Sequence, residues 1–149
     1  MIKRGLREYP NLNLIVNPDG TIPFEENTFD AVILFGVLTC VPDNEAQKEL
    51  LANIKRVLKP GGIIYINDFL LNSGLKRWLF YKKAQKKTGI YGAFETYDGA
   101  TVRHHAEDYI FKLLSDFKTL DFEKFVIPTM NGNKSNSFGF IGELQKNAG

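Results

Sequence analysis

Residues 29–43, FDAVILFGVLTCVPD, decide the fold class. Residues 31–36 are apolar at consecutive positions and rich in branched side chains, which is typical of a central parallel strand buried between two helical layers. Asp43 or Asn44 can cap a following helix, because its apolar residues recur at helical spacing through Leu58. Lys-Pro-Gly-Gly at 59–62 ends that helix, and residues 63–68 form a second buried strand. Strand, helix, glycine turn and strand make a βαβ unit, which predicts a parallel sheet and an α/β fold.

Weaker patterns flank this unit. Residues 12–16, LNLIV, are a candidate strand, and turn chemistry at residues 17–20 connects them to the first strong strand. Residues 106–117 place apolar side chains on one helical face. Residues 122–128 and 137–144 are two further strands joined by the polar segment TMNGNKSN, which predicts an antiparallel hairpin with a long loop.

Composition restricts the class of protein. The chain has 149 residues, 44% of them hydrophobic, as expected for one globular domain. Its net charge of +2 gives no reason to expect a nucleic-acid or membrane partner. The lone Cys40 cannot form an internal disulfide and is expected to be a small buried hydrophobe in a reduced, cytoplasmic protein. No signal peptide, spanning apolar run or metal-ligand cluster is found in the sequence.

At this point the motifs resemble a known family. TIPFEENTFDAVILFGVLTCVPD, followed by a helix ending in IKRVLKPGGIIYINDF, is similar to the second half of a class I S-adenosylmethionine-dependent methyltransferase of the small-molecule type. The matching pieces are Ile22-Pro23-Phe24, Phe29-Asp30 and the run 56–62. The resemblance implies a partial Rossmann-like sheet whose parallel strands end in an antiparallel hairpin. It also divides residues 1–149 into a βαβ core (1–68), a substrate cap (69–105) and a C-terminal helix with hairpin (106–149).

The resemblance also implies where S-adenosylmethionine would bind. Ligands of open α/β sheets bind beyond the carboxyl ends of the strands, and one such end carries Phe35, Gly36, Val37 and Leu38. These residues are expected to contact the methionine part of the cofactor. Asp19 and Gly20 fall where the family often places an acidic contact to adenine. The family's acid more often stands one position earlier, at Pro18 here, so Asp19 as an ordinary turn residue is the alternative.

The sequence departs from the family in one respect. The glycine-rich loop after the first strand and the acid that holds the ribose have no counterpart upstream of Ala31. Residues 12–16 therefore lack a neighbouring strand, and an unpaired buried strand costs roughly 1 to 3 kcal/mol for each unsatisfied backbone group. Three outcomes are open: residues 12–16 pair directly with 31–36, a second copy in a homodimer supplies strands, or the sequence is a fragment of a longer protein with the missing segment.

The cap region carries the candidate substrate and catalytic residues. Methyl transfer from a sulfonium needs alignment, exclusion of water and, for a hydroxyl or thiol, removal of a proton. His104 and His105 are candidate bases, while Arg103 can anchor a carboxylate or phosphate. The expected walls and substrate contacts are Tyr91, Phe94, Tyr97 and Asn131. A capping role for the histidines and a turn role for Asn131 are the alternatives.

A basic segment suggests a second function. Residues 73–89 are predicted to be a helix with six basic residues between Lys76 and Lys87, and no acid occurs between Asp68 and Glu95. Such a helix is either a solvated basic face or a lid that touches an anionic substrate, a membrane surface or nucleic acid. The family resemblance implies S-adenosylmethionine-dependent methyl transfer to a small-molecule acceptor, with the activity of this chain impaired because the main cofactor loop is missing. The alternative is a non-catalytic α/β module that binds an anionic partner through residues 76–87.

Overall fold

The computed structural model describes residues 2–17, 20–129 and 132–145 of the chain. Its helices are α1 (Ile2–Glu8), α2 (Asn44–Val57), α3 (Leu75–Thr88) and α4 (Glu107–Leu113), with a short 3-10 turn at Leu38–Cys40. Its strands are β1 (Phe29–Phe35), β2 (Leu58–Phe69), β3 (Ala93–Glu95), β4 (Thr101–Arg103), β5 (Phe117–Pro128) and β6 (Lys134–Leu144).

The main sheet has four strands in the order β1-β2-β6-β5. β1 and β2 are parallel, with Ala31 opposite Ile63 and Phe35 opposite Asn67. β6 runs antiparallel to both β2 and β5. The α/β class, the βαβ unit and the closing antiparallel hairpin predicted from the sequence are confirmed. β3 and β4 form a separate two-stranded hairpin.

The boundaries of the elements follow local chemistry in most places. Asp43 caps α2 by accepting a hydrogen bond from the Ala46 N–H. The Lys-Pro-Gly-Gly run, predicted to be a turn before the second strand, lies inside β2, which begins at Leu58; Gly61 has a positive φ of +79° there. The predicted helix over 106–117 is too long, because α4 ends at Leu113 and Phe117 opens β5. Phe117 is buried in the sheet core, so tertiary packing overrides its helical spacing there.

The prediction that residues 31–36 form a central strand is wrong. β1 is an outer strand of the sheet, and residues 12–16 form no strand and do not pair with it. Within the described ranges, only β2 is hydrogen-bonded to β1 as a strand. The apolar run that suggested burial on both faces instead leaves Ile33 and Phe35 61% and 67% exposed.

The core lies on one face of the sheet. Ile64 and Ile66 of β2 and Phe138 and Phe140 of β6 are buried there, under Ile54 of α2 and neighbouring residues of α4. Cys40 does not join this core, so the expectation of a buried thiol is wrong. The 3-10 turn directs Leu38 and Thr39 inward and leaves Cys40 exposed.

Candidate functional site

The carboxyl end of β1 is open at a glycine. Gly36 has a positive φ of +62°, and no heavy atom lies within 4 Å of the position that a Cβ would occupy. Its N–H donates to the Asn67 carbonyl oxygen at 2.8 Å, which keeps this end of β1 attached to β2. Backbone can therefore approach a ligand closely here without a side chain in between.

Two segments predicted to bind the cofactor meet beside this end. Gly20 and Val37 line the same cavity of about 440 Å³, together with Val41 and residues of α2. Gly20 also has a positive φ, of +78°, with open space where its Cβ would be. A larger cavity of about 950 Å³ lies elsewhere, lined by Asn27, Leu58 and Pro60 near the amino ends of the parallel strands. Ligands of open α/β sheets bind at the opposite, carboxyl edge, which excludes the larger cavity. A cavity of about 510 Å³ lined by Leu70 and His105 also lies at the carboxyl edge, but the cavity at Gly20 and Val37 is the candidate cofactor site because two of the predicted cofactor residues line it.

The other predicted cofactor residues are placed less uniformly. Phe35 is exposed, with its ring 5.6 Å from that of Tyr65 in an edge-to-face contact. Leu38 is fully buried, and its carbonyl oxygen accepts a hydrogen bond from the Gln47 side chain. Its side chain therefore belongs to the core rather than to the cavity. Asp19 lies outside the described residues.

A buried carboxylate, Asp68, holds the turn that follows β1. Its Oδ2 accepts a hydrogen bond from the Thr39 N–H at 3.3 Å, and its Oδ1 accepts one from the Phe69 N–H at 2.8 Å. Asp68 is 1% exposed, and burial raises the pKa of its carboxyl to about 6. Asp68 was not among the site residues predicted from the sequence. The signal that was available is an acid ending a strand of branched apolar residues at the carboxyl edge of the sheet.

The same turn reaches the histidine pair. The Thr39 hydroxyl donates to the Arg103 carbonyl oxygen at 2.5 Å, and the N–H of His105 donates to the Phe69 carbonyl oxygen at 3.1 Å. The end of β1, the end of β2 and the segment after β4 are thus joined by hydrogen bonds. The structure brings the predicted cofactor segment and the predicted catalytic segment to one edge of the sheet.

His105 is enclosed at this junction. Its Nε2 lies 2.9 Å from the Gln47 amide nitrogen, and its Nδ1 lies 3.2 Å from the Phe69 carbonyl oxygen. The carbonyl can only accept, so Nδ1 carries the proton and Nε2 accepts. Burial, with a smaller effect of nearby Arg103, lowers the pKa of His105 to about 4. The imidazole is therefore neutral at pH 7, with both nitrogens occupied by the protein.

His104 lies in an aromatic cluster. Its ring stacks on Phe69 at 5.4 Å and meets the edge of Phe94 at 5.0 Å. Tyr81 is 1% exposed, and its hydroxyl lies 2.8 Å from His104 Nδ1. Tyr91 contacts Tyr81 edge to face at 5.7 Å. Of the predicted aromatic walls, Phe94 therefore contacts His104 and Tyr91 joins the cluster through Tyr81, whereas Tyr97 is 97% exposed at the tip of the β3–β4 hairpin.

The hydrogen bonds around Tyr81 fix the proton of His104. The Tyr81 oxygen receives the Asn72 N–H at 3.2 Å and faces the Asn72 side-chain amide at 3.5 Å, and both of these groups are donors. Among the described residues, only His104 Nδ1 can accept the Tyr81 hydrogen. The proton of the neutral imidazole is therefore on Nε2. Burial, with a smaller effect of Arg77, lowers the pKa of His104 to about 4, so this neutral form persists at pH 7.

Arg103 is mostly committed to the protein. One guanidinium nitrogen donates to the Pro42 carbonyl oxygen at 3.0 Å and to the Asn44 side chain at 2.6 Å, and the group lies 4.2 Å above the Tyr109 ring. Its Nε has no hydrogen-bond partner in the part of the chain that the structure describes. Arg103 thus fastens β4 to the start of α2. Asn131 lies outside the described residues.

Comparisons with known proteins agree with this geometry. A family model described as a methyltransferase domain matches residues 1–66. A solved SAM-dependent methyltransferase from Methanosarcina mazei superposes with a TM-score of 0.81 and 26% identity, covering 88% of this chain and 66% of that one. Residues 1–66 thus match a methyltransferase-domain family, and the chain as a whole resembles the class I S-adenosylmethionine-dependent methyltransferases. The partial Rossmann-like sheet is the part of the fold that this chain shares with the Methanosarcina mazei protein.

Curated relatives are matched over shorter segments. The demethylmenaquinone methyltransferase of Paenarthrobacter aurescens (strain TC1) is 39% identical over 70 residues, which are 46% of this chain and 26% of that protein. The Burkholderia thailandensis 1,6-didemethyltoxoflavin-N1-methyltransferase, solved with 1,6-didemethyltoxoflavin and S-adenosylhomocysteine, shares the fold with a TM-score of 0.64 and 16% identity. The match covers 97% of this chain and 56% of the Burkholderia protein. The chain spans about a quarter of the length of the curated relatives it matches.

Proposed function

We propose that this chain takes part in S-adenosylmethionine-dependent methyl transfer to a small-molecule acceptor. The observation that carries the proposal is the cavity shared by Gly20 and Val37 beyond the carboxyl end of β1. The two glycines beside it leave open the space that side chains would fill, which fits a ligand held against backbone. Gly20, Gly36 and Val37 would hold the cofactor, which supplies an electrophilic methyl group when bound.

The aromatic cluster at His104 is the proposed acceptor side of the site. Phe69, Tyr91 and Phe94 offer ring faces and edges that suit a flat, aromatic or quinone-like acceptor and exclude water from it. Curated relatives that match this chain methylate, by their names, a demethylated quinone. An acceptor of that chemical class is therefore proposed here.

His104 is proposed to donate a hydrogen bond rather than to remove a proton. The Tyr81 hydroxyl occupies Nδ1, so Nε2–H is the group that can reach a ligand oxygen. A pKa of about 4 also makes the imidazole a weak base at pH 7. A donor at this position would orient an acceptor through a carbonyl or hydroxyl oxygen. His105, with both nitrogens bonded to protein, would position the cap against the sheet.

Calorimetric titration with S-adenosylhomocysteine tests the cofactor site. Gly36→Ala is expected to lower the affinity at least tenfold, because the methyl group projects into the proposed ligand space. Gly99→Ala is the matched control, since Gly99 also has a positive φ and open space but lies in the distant hairpin turn. Equal affinities of the two variants would contradict the proposed site.

We also propose that this chain alone binds the cofactor more weakly than a longer form with a glycine-rich loop would. No Gly-x-Gly precedes Ala31 in the sequence, so the backbone cradle that the family uses is not supplied by these residues. Titrating both forms measures the difference. If the chain is folded and gives no heat with millimolar S-adenosylhomocysteine while the longer form does, cofactor binding by this chain alone is excluded.

A second candidate function is a non-catalytic module that binds an anionic partner through residues 76–87. The observation in its favour is that Lys76, Lys82, Lys83, Lys86 and Lys87 are all exposed on α3. Salt-sensitive binding to an anionic partner without any heat from S-adenosylhomocysteine would favour this function over methyl transfer.

A further inference from the structure

The outward face of α3 combines exposed apolar and basic side chains. Leu75, Trp78 and Leu79 are 72%, 49% and 52% exposed, and they lie together on the first turns of the helix. Lys83 and Lys86 continue the same face toward the carboxyl end. Tyr81 is the buried residue of α3 and anchors the opposite face on the aromatic cluster.

The charges of this face are largely unmatched by the protein. α3 contains six basic residues and no acidic residue. Lys87 pairs with Glu95 at 2.6 Å, and Lys82 lies 5.4 Å from the centre of the Tyr91 ring. Lys76, Lys83 and Lys86 have no ion pair with any residue in the described ranges. This surface therefore combines leucines, which water solvates poorly, with lysines, whose charge an anion would neutralise.

We propose that α3 docks this chain onto an anionic lipid bilayer. Leucine and tryptophan side chains insert at the level of the headgroups, and lysines beside them bind lipid phosphates. A nucleic acid would match the lysines but would leave Leu75 and Leu79 in water, so the lipid surface fits the whole face better. In the part of the chain that the structure describes, no helix is long and apolar enough to cross a bilayer, which makes this a surface contact.

A net charge of +2 gave no reason to expect a membrane partner, but net charge does not describe how charges are distributed. The proposed docking of α3 on a bilayer is independent of the proposed methyl transfer. If both hold, the aromatic cluster at His104, behind Tyr81, lies next to the lipid surface.

Trp78 makes the test direct, because it is the single tryptophan of the chain. Phosphatidylcholine vesicles with and without about 30% phosphatidylglycerol are titrated into the full chain while tryptophan emission and cosedimentation are followed. We expect a blue shift and binding with the anionic vesicles only, weakened when the salt is raised from roughly 0.1 to 0.5 M. Absence of both signals with anionic vesicles overturns the proposal.

Two pairs of variants separate the contributions. Lys83→Gln with Lys86→Gln should weaken vesicle binding by about tenfold or more, since each lysine near an anionic surface contributes roughly 1 kcal/mol. Lys112→Gln with Lys118→Gln removes the same charge from other exposed positions and should change binding little. Equal losses in the two variants would show unspecific attraction and overturn the assignment to α3.

The apolar part is tested by Leu75→Ala with Leu79→Ala, expected to weaken binding about tenfold because fewer apolar groups are inserted. Leu120→Ala, at a leucine 48% exposed on β5, is the control. Unchanged binding of the α3 leucine variant, together with equal affinity for a single-stranded polynucleotide, would assign the face to nucleic acid. A dimer in sedimentation that dissociates in the same variant would assign it to self-association. Each of these results overturns the lipid proposal, whereas loss of S-adenosylhomocysteine binding alone would affect only the methyl-transfer proposal.

Discussion

Replacing the buried carboxyl of Asp68 by an amide should change how stability depends on pH. Asp68 is 1% exposed, and burial is the largest cause of its raised pKa. The hydrogen bonds that its carboxylate accepts from backbone N–H groups lower the pKa by a smaller amount. The folded protein therefore holds this proton more tightly than the unfolded chain does. The stability from this group is complete below pH 3.8 and is lost as the pH rises through about 6. Asp68→Asn cannot titrate and removes this dependence.

The size of the effect follows from the two pKa values. A rise from 3.8 to about 6 corresponds to roughly 3 kcal/mol between the fully protonated and fully ionised limits. Between pH 4.5 and 7, the linkage relation gives a loss of about 2 kcal/mol in the unfolding free energy of wild type relative to Asp68→Asn. The lost hydrogen bond from Thr39 or Phe69 to the amide shifts the variant by a constant amount and does not alter this slope.

Urea unfolding of both proteins at several pH values between 4.5 and 7 measures the difference. His104 and His105 have lowered pKa values, so they stabilise the fold above pH 6.5 and lose this contribution as the pH falls toward 4. Both proteins contain them, so subtracting the two curves removes most of their effect. Asp30→Asn is a control that should give a nearly flat difference in this window, because Lys59 lowers the pKa of this exposed carboxyl below 3.8 and its contribution is lost only at more acidic pH. A difference that is flat with pH, or that favours wild type as the pH rises, would refute the assignment of a raised pKa to Asp68.

Three further outcomes are expected. Gly92→Ala, at φ +93°, puts a Cβ 2.2 Å from the His104 carbonyl oxygen and should lower the unfolding free energy by more than about 2 kcal/mol. The control Gly99→Ala, whose Cβ would lie in open space, should lower it by about 1 kcal/mol. Equal losses of the two variants in urea unfolding would contradict this expectation. The ring protons of His104 and His105 should titrate near pH 4 by NMR, and a midpoint near 6.5 would show that they are solvated. Arg103→Lys should cost about 2 kcal/mol of stability without changing S-adenosylhomocysteine affinity, and a variant with the reverse pattern would place Arg103 in the ligand site.

The sequence determined the parts of the fold that depend on local pattern. A helix cap at Asp43 or Asn44, a helix that ends before the Lys-Pro-Gly-Gly run and an antiparallel C-terminal hairpin each follow from the chemistry of a few neighbouring residues. The α/β fold class and the resemblance to methyltransferases followed from residues 22–68, because the βαβ unit and its flanking motifs lie close together in the chain. These features need no knowledge of distant contacts.

Tertiary structure alone decided which predicted residues meet. An apolar run indicates a buried strand, but whether both its faces are covered depends on neighbours far away in sequence, so Ile33 and Phe35 of β1 are exposed despite their pattern. Phe117 and Cys40 differ from expectation for the same reason. Phe117 is buried in the sheet core at the start of β5, and the 3-10 turn after β1 leaves Cys40 exposed.

The candidate site shows the same division. The sequence identified His104 and His105 as adjacent imidazoles of similar chemistry, and the structure gives them different environments. His105 is bonded at both nitrogens, whereas Tyr81, distant in sequence, takes Nδ1 of His104 and leaves its proton on Nε2. Residue types and local spacing are written in the sequence, but the direction of a hydrogen bond is set by groups that folding brings together from separate elements.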